Sequence, residues 1–170
     1  MINIRILLLA TTVLCFGSCS VKKPKPDTAN DNTLSDSASD NSKTTADTAI
    51  IKSHLTALTK TESFRTHNDV DQLDKTAEYI RSHFAQYTNT IFLQEYSANG
   101  QKYKNVIASF GTNNATRIII GAHYDVCGQQ QGADDNASGV TGILELARML
   151  KGKTLKYRID LVAYSLEEPP

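Results

Sequence analysis

A chain of 170 residues with 18 lysines and arginines against 18 aspartates and glutamates has a formal net charge of zero. That balance argues against a nucleic-acid partner, because phosphate binding relies on surplus positive charge. Hydrophobic residues make up 40% and aromatic residues 7%, with no Trp, which is low for a domain packed along its whole length, so part of the chain is expected to lie outside any core.

The amino terminus supplies that part. Residues 1–18 carry one basic residue, Arg5, then an 11-residue, largely apolar run from Ile6 to Phe16, then small residues up to Cys19. This is the pattern of a secretory leader. At ~1.5 Å per residue, a helix of that length covers about half of a ~30 Å hydrocarbon core, so the run is a physically poor permanent membrane span. Gly17-Ser18 before Cys19 resembles a bacterial lipobox, which implies acylation of Cys19, export and a membrane anchor in the cell envelope. Cys15 would leave with the leader, Cys127 would have no partner, and no intrachain disulfide is expected.

From Ser20 to Ala49, 18 of 30 residues are Ser, Thr, Asp or Asn and 6 are apolar, too few to offset the entropy of ordering. Residues 19–49 therefore read as a lipidation site and disordered tether, with Lys22, Lys23 and Lys25 placed to touch anionic headgroups or simply to be solvated. The folded part is expected from residue 50.

Two helical stripes come first. Ile51, Leu55 and Leu58 recur at helical spacing with Asp47 placed to cap them; Leu73, Ala77, Ile80, Phe84 and Tyr87 follow, with Asn68 or Asp69 as cap. His54, His67 and His83 lie on or between these helices and read as surface or internally satisfied side chains. Strands are expected over 91–96 and 103–110, joined by Asn99-Gly100 into an antiparallel hairpin. Residues 117–122, with Ile118, Ile119 and Ile120, read as a strand buried on both faces. A helix over 138–150 and a strand over 157–165 complete the series.

Strand, helix, strand over about fifty residues is a crossover unit, so its strands are parallel and end on one edge of the sheet. Ligands sit beyond such carboxyl ends. His123 and Asp125 lie at the first strand end, Asp134 and Asp135 before the helix, and Glu167 and Glu168 at the second strand end. His123 and Asp125, two apart, point the same way in extended chain, which lets the carboxylate orient a metal-binding imidazole. Glu167 and Glu168, being adjacent, are expected to point oppositely and divide the roles of ligand and proton acceptor. Carboxylates gathered in a cleft require a counter-charge. One imidazole with several carboxylates suits Zn²⁺, with Mn²⁺ or Co²⁺ as substitutes.

The runs Gly121-Ala122-His123-Tyr124-Asp125 and Gly132-Ala133-Asp134-Asp135-Asn136-Ala137-Ser138-Gly139, followed by Glu167-Glu168, resemble family twenty-eight of the metallopeptidases. That family comprises dizinc aminopeptidases, glutamate carboxypeptidases and glutaminyl cyclases. The resemblance implies an α/β fold, a mixed, largely parallel sheet flanked by helices, and zinc-dependent hydrolysis of N-terminal peptide bonds in peptide substrates. It implies that His123 binds one zinc, Asp135 bridges two, Glu168 binds the second, Glu167 is the general base and Asp125 orients His123. Asp134 falls at a variable position and is not assigned as a ligand. Asn136 or Ser138 can cap the following helix.

Members of that family continue well past the Glu pair and supply a further aspartate and a distant histidine ligand. The resemblance therefore covers the N-terminal part of the catalytic domain, with two protein ligands per metal in this chain. Activity of the 170-residue chain alone is in question, and the other readings are a glutaminyl cyclase or a non-catalytic lipoprotein remnant. A further expectation is that the strand over 157–165 lies uncovered at the sheet edge, an aggregation hazard.

Overall fold

The computed structural model describes residues 44–169. The leader, Cys15, Cys19, the three lysines and the tether up to residue 43 lie outside the described residues. Among the described residues, no helix is long and apolar enough to cross a membrane.

The fold begins earlier than the composition indicates. Helix α1 spans Thr48–Thr59, and the Asp47 carboxylate caps it by accepting from the backbone N–H of Ala49 at 2.8 Å and of Ile50 at 3.3 Å. The Asp47 N–H donates to Glu145 at 2.6 Å, and Arg148 donates to the Thr45 carbonyl at 2.8 Å. The end of the expected tether is thus fastened to the domain from Thr45 onward, and the boundary at residue 50 falls inside α1.

Helix α2 spans Val70–Phe84, with Asp69 as its cap, and buries Leu73, Ala77, Ile80 and Phe84 at the helical spacing read from the sequence. Tyr87 lies beyond the helix end and packs, half-buried, against the core. Strands β1 (Ile91–Ala98) and β2 (Gln101–Phe110) form the antiparallel hairpin, with Asn99 and Gly100 both at positive φ, the conformation that an Asn-Gly turn selects. Strand β3 (Arg117–His123), helix α3 (Ser138–Leu150) and strand β4 (Arg158–Tyr164) make the crossover, and β3 and β4 pair in parallel with His123 opposite Tyr164.

The sheet order is β1-β2-β4-β3, with antiparallel pairings on the hairpin side and the parallel pair at the other end. Helix α2 packs on β2, α3 on β3 and β4, and α1 on α3. The core between helices and sheet contains Leu73, Ile80, Phe84, Val106, Ala108, Val140, Leu144, Leu161 and Ala163, each 1% exposed or less. A fully buried Leu, Ile or Phe side chain contributes ~1.5–3 kcal/mol.

Two strand expectations are overturned together. Strand β4 is not an uncovered edge: β2 flanks it on one side and β3 on the other, which suits its apolar Leu161-Val162-Ala163 run. The edges among the described residues are β1 and β3, and β3 is not buried on both faces, with Ile118 42% and Ile119 57% exposed. Hydropathy marked both strands as apolar but could not say which of them the hairpin would join.

Candidate metal centre

The parallel register between β3 and β4 brings the carboxyl ends of both strands together. Past His123, the Tyr124 N–H donates to the Tyr164 carbonyl at 2.8 Å, so the two chains leave the sheet side by side. Asp125 follows, 1% exposed. Its carboxylate accepts the Glu167 N–H at 3.0 and 3.2 Å and the Glu168 N–H at 3.0 Å. The strand stops at Tyr164, so the Glu pair sits in a bend wrapped around Asp125 rather than in extended chain.

That bend corrects the expectation that the two glutamates point apart. One ligand atom from each of His123, Glu167 and Glu168 lies within 4.8 Å of the others. The Glu167 carboxylate reaches to 3.7 Å from His123 Nε2.

The third segment arrives through the turn Ala133–Ala137, which precedes α3. Asp135 and Asn136 depart from helical backbone angles, and the peptide between them is cis. Asn136 turns its side chain forward to accept the Gly139 N–H at 2.9 Å and caps α3, one of the two caps expected. Asp135 turns toward the strand ends and places Oδ1 3.0 Å from His123 Nε2. Asp134 is exposed and stands outside the group, as expected; Ser138 donates to the Asp134 carbonyl at 2.8 Å. Gly132 opens the turn at φ +55°, where a Cβ would meet Val126 Cγ1 at 2.3 Å and the Asp135 carbonyl at 2.4 Å, so glycine is required.

His123, Asp135, Glu167 and Glu168 therefore converge. His123 is 8% exposed, while the Asp135 and Glu167 side chains are 69% and 62% exposed, so the imidazole forms the floor and these carboxylates an open rim. Nε2 faces the rim. Nδ1 faces Asp125, whose Oδ1 lies 3.3 Å away, yet Nδ1 is buried with no aligned hydrogen bond. The sequence reading anticipated this approach but not the main use of Asp125, which is to hold the Glu pair by its backbone.

Two of the carboxyl groups gathered here are disfavoured in their ionised form. Burial raises the Glu168 carboxyl above its ordinary range, and the charge on Asp135 adds to it. Burial also raises Asp125, opposed by the N–H groups of Glu168 and Glu167. This donor set fits zinc: one imidazole nitrogen, Nε2, aimed at the rim, several carboxylate oxygens around it, and a buried, unpartnered Nδ1 beside Asp125 that would orient the ring with a cation on Nε2.

The upstream histidines stand apart from the centre. His54 is buried, with Nδ1 2.7 Å from the Tyr79 hydroxyl, and its ring meets His83 edge-on at 4.6 Å between centroids. The His67 carbonyl accepts from the Tyr103 hydroxyl. Cys127, exposed, is a free thiol.

Residues 105–169 match the sequence pattern of Peptidase family M28. Residues 105–169 are thus similar to part of an M28 domain. The Escherichia coli (strain K12) protein YfbL is 42% identical over 121 residues, covering 66% of this chain and 38% of YfbL. Among solved structures, the LapA aminopeptidase of Legionella pneumophila is 30% identical, with a TM-score of 0.61 over 72% of this chain and 35% of that one. A glutaminyl cyclase of Tannerella forsythia has TM-score 0.60 at 22% identity, over 71% of this chain and 47% of that one. A Zn-dependent exopeptidase of Parabacteroides distasonis has TM-score 0.58 at 23% identity, over 69% and 46%. The last two likenesses establish the fold. The chain spans less than half the length of each of these relatives.

Sequence reasoning missed one residue beneath the site. Arg65, from the loop between α1 and α2, is 1% exposed and donates from Nε to the Tyr124 carbonyl at 2.7 Å. No local pattern marks it, since its partners are all backbone atoms, the most distant 67 residues away.

Proposed function

We propose that this chain is the N-terminal part of a zinc-dependent exopeptidase, an aminopeptidase that removes residues from peptide N-termini. The observation that carries the reading is the gathering of His123, Asp135, Glu167 and Glu168, from three distant segments, around one open rim. The higher identity to the LapA aminopeptidase than to the glutaminyl cyclase supports peptidase chemistry over cyclisation.

His123 through Nε2, Asp135 and Glu168 would hold zinc. When bound, zinc supplies Lewis acidity to the scissile carbonyl and lowers the proton affinity of water in the cleft. Glu167, its carboxylate exposed and 3.7 Å from Nε2, accepts the proton of the attacking water and passes it to the leaving amine. Asp125 holds Glu167 and Glu168 in place by their N–H groups and favours the Nδ1–H tautomer of His123, which leaves Nε2 free.

The test is hydrolysis of chromogenic aminoacyl amides by a longer polypeptide containing this chain. Activity is expected to vanish with a chelator and to fall by ~10²–10⁴-fold in Glu167→Gln. Failure to cleave any member of a broad panel refutes the aminopeptidase reading, and cyclisation of an N-terminal glutamine with one zinc per chain replaces it with the cyclase. Export and acylation of Cys19 belong to the same proposal; labelled fatty acid should enter the wild-type chain and not Cys19→Ala.

A further inference from the structure

Arg65 is a buried guanidinium that neither the leader, the fold nor the ligand set accounts for. Burying a cation is costly unless its donors are satisfied. Burial pushes its pKa down to about 10, with Asp125 acting in the opposite direction. Among the described residues no carboxylate lies within ion-pair distance of it; its partners are carbonyls.

The choice of carbonyls is informative. Nη1 donates to Leu58 at the end of α1. Nε donates to Tyr124, the residue between His123 and Asp125. Nη2 lies 3.4 Å from the carbonyl of Gly132, which also accepts the Ala137 N–H at 3.0 Å and so closes the turn carrying Asp135. The Arg65 carbonyl in turn accepts the Val126 N–H at 2.9 Å. One planar fork thus joins the strand exit that presents His123 and Asp125 to the turn that presents Asp135. A Cβ on Gly132 would come within 3.2 Å of Nη2, so the turn is built against the guanidinium. Lysine offers a single point of donation and cannot bridge three divergent carbonyls.

We propose that Arg65 is a positioning residue that sets the spacing between the His123 and Asp135 segments and thereby the affinity of the site for zinc. The zinc half of this inference rests on the function proposed above; the spacing half does not. Arg65 touches no reacting atom and acts through Tyr124 and Gly132.

The test compares Arg65→Lys and Arg65→Gln with Ile80→Val, a core trim on α2 at a position 0% exposed and outside the metal centre. Hydrogen exchange is read on the metal-free 170-residue chain, and zinc and cobalt titrations are run on the same preparations. In Arg65→Lys, exchange at the Val126 and Ala137 amides should rise at least 10-fold while the α2 and β2 amides keep wild-type protection. Zinc affinity should fall at least 10-fold, with a changed cobalt absorption spectrum. Ile80→Val should leave affinity and spectrum unaltered. Loosening spread uniformly over the chain, or zinc affinity in Arg65→Lys equal to wild type, overturns the proposal. If the wild-type chain takes up no metal but the local exchange pattern is seen, the spacing role stands and the metal reading is refuted. Should Arg65→Lys not fold, Arg65→Gln carries the same comparison, and failure of both to fold while Ile80→Val folds assigns Arg65 to general stability and overturns the proposal.

Discussion

Replacing Asp125 with asparagine separates its two duties. Oδ2 accepts both the Glu167 and Glu168 N–H groups at 3.0 Å, and Oδ1 shares the Glu167 N–H at 3.2 Å while facing His123 Nδ1 at 3.3 Å. An asparagine with its oxygen at the Oδ2 position keeps both backbone donors satisfied but turns charge-assisted bonds into neutral ones. Bonds to a charged acceptor contribute ~1.5–3 kcal/mol and neutral ones ~0.5–1.5 kcal/mol, so the pair loses about 2–3 kcal/mol. Relief of the desolvation that raises the Asp125 pKa offsets part of that loss. The amide NH₂ then faces Nδ1 and donates to it. That favours the tautomer with the proton on Nε2, the nitrogen aimed at Asp135. Zinc affinity should fall ~10–100-fold, the usual cost of altering such an outer partner. Asp125→Ala, by contrast, leaves two N–H groups without an acceptor, at ~1–3 kcal/mol each, and should be the less stable variant. Denaturant unfolding in chelator gives the stabilities, and competition against a chromogenic chelator gives the affinities. Wild-type zinc affinity in Asp125→Asn, or an Asp125→Ala no less stable than Asp125→Asn, refutes the reasoning.

Gly132→Ala should destabilise the chain by about 2 kcal/mol or more and weaken zinc binding, because the left-handed φ and the approach of Val126 and Asp135 both act against a Cβ; a change within ~0.5 kcal/mol contradicts the turn geometry. Burial pushes the pKa values of His54 and His83 below the ordinary 6.5. The unfolded chain therefore takes up protons first on acidification, and stability should be flat above that value and decline below it. Melting temperatures from pH 7.5 to 5 should drop less in His83→Asn than in wild type. The Glu145 carboxyl is held below its ordinary 4.5 chiefly by the hydrogen bond from Arg148 and further by the Asp47 N–H. That stabilisation is present above 4.5 and is lost as the pH falls through the lowered value. Glu145→Gln should be less stable at neutral pH, and its deficit should shrink in acid denaturation; a constant deficit contradicts the coupling.

What could be read from the sequence was whatever depends on neighbours in the chain. The cap at Asp47, the stripe from Leu73 to Phe84, the Asn99-Gly100 turn and the parallel crossover each rest on spacing within a few residues or on one connection rule. The His123–Asp135 approach followed from the same rule, since it needed only that β3 and the turn before α3 meet at one edge. What depends on distant partners was hidden. The apolar runs of β3 and β4 look alike, and only the arrival of β2 makes β4 central. The polar stretch before residue 50 looks like tether throughout, yet Glu145 and Arg148, about a hundred residues on, tie its last residues to α3.

The Glu pair illustrates how the two kinds of information combine. In isolation, adjacent residues in extended chain diverge, and the rule that two neighbours face opposite ways is sound wherever the ladder continues. Here the ladder ends at Tyr164, and the next backbone donors have no strand to bond. A buried carboxylate two residues past His123 supplies the acceptors, and satisfying two successive N–H groups from one side bends the chain around it. The bend brings both glutamates over the imidazole. Thus the spacing that placed Asp125 beside His123 also fixes where Glu167 and Glu168 go, and it links the imidazole floor to the carboxylate rim through one side chain. A substitution at Asp125 should therefore perturb the histidine and both glutamates together, whereas one at Asp135 should leave the Glu167–Glu168 bend intact.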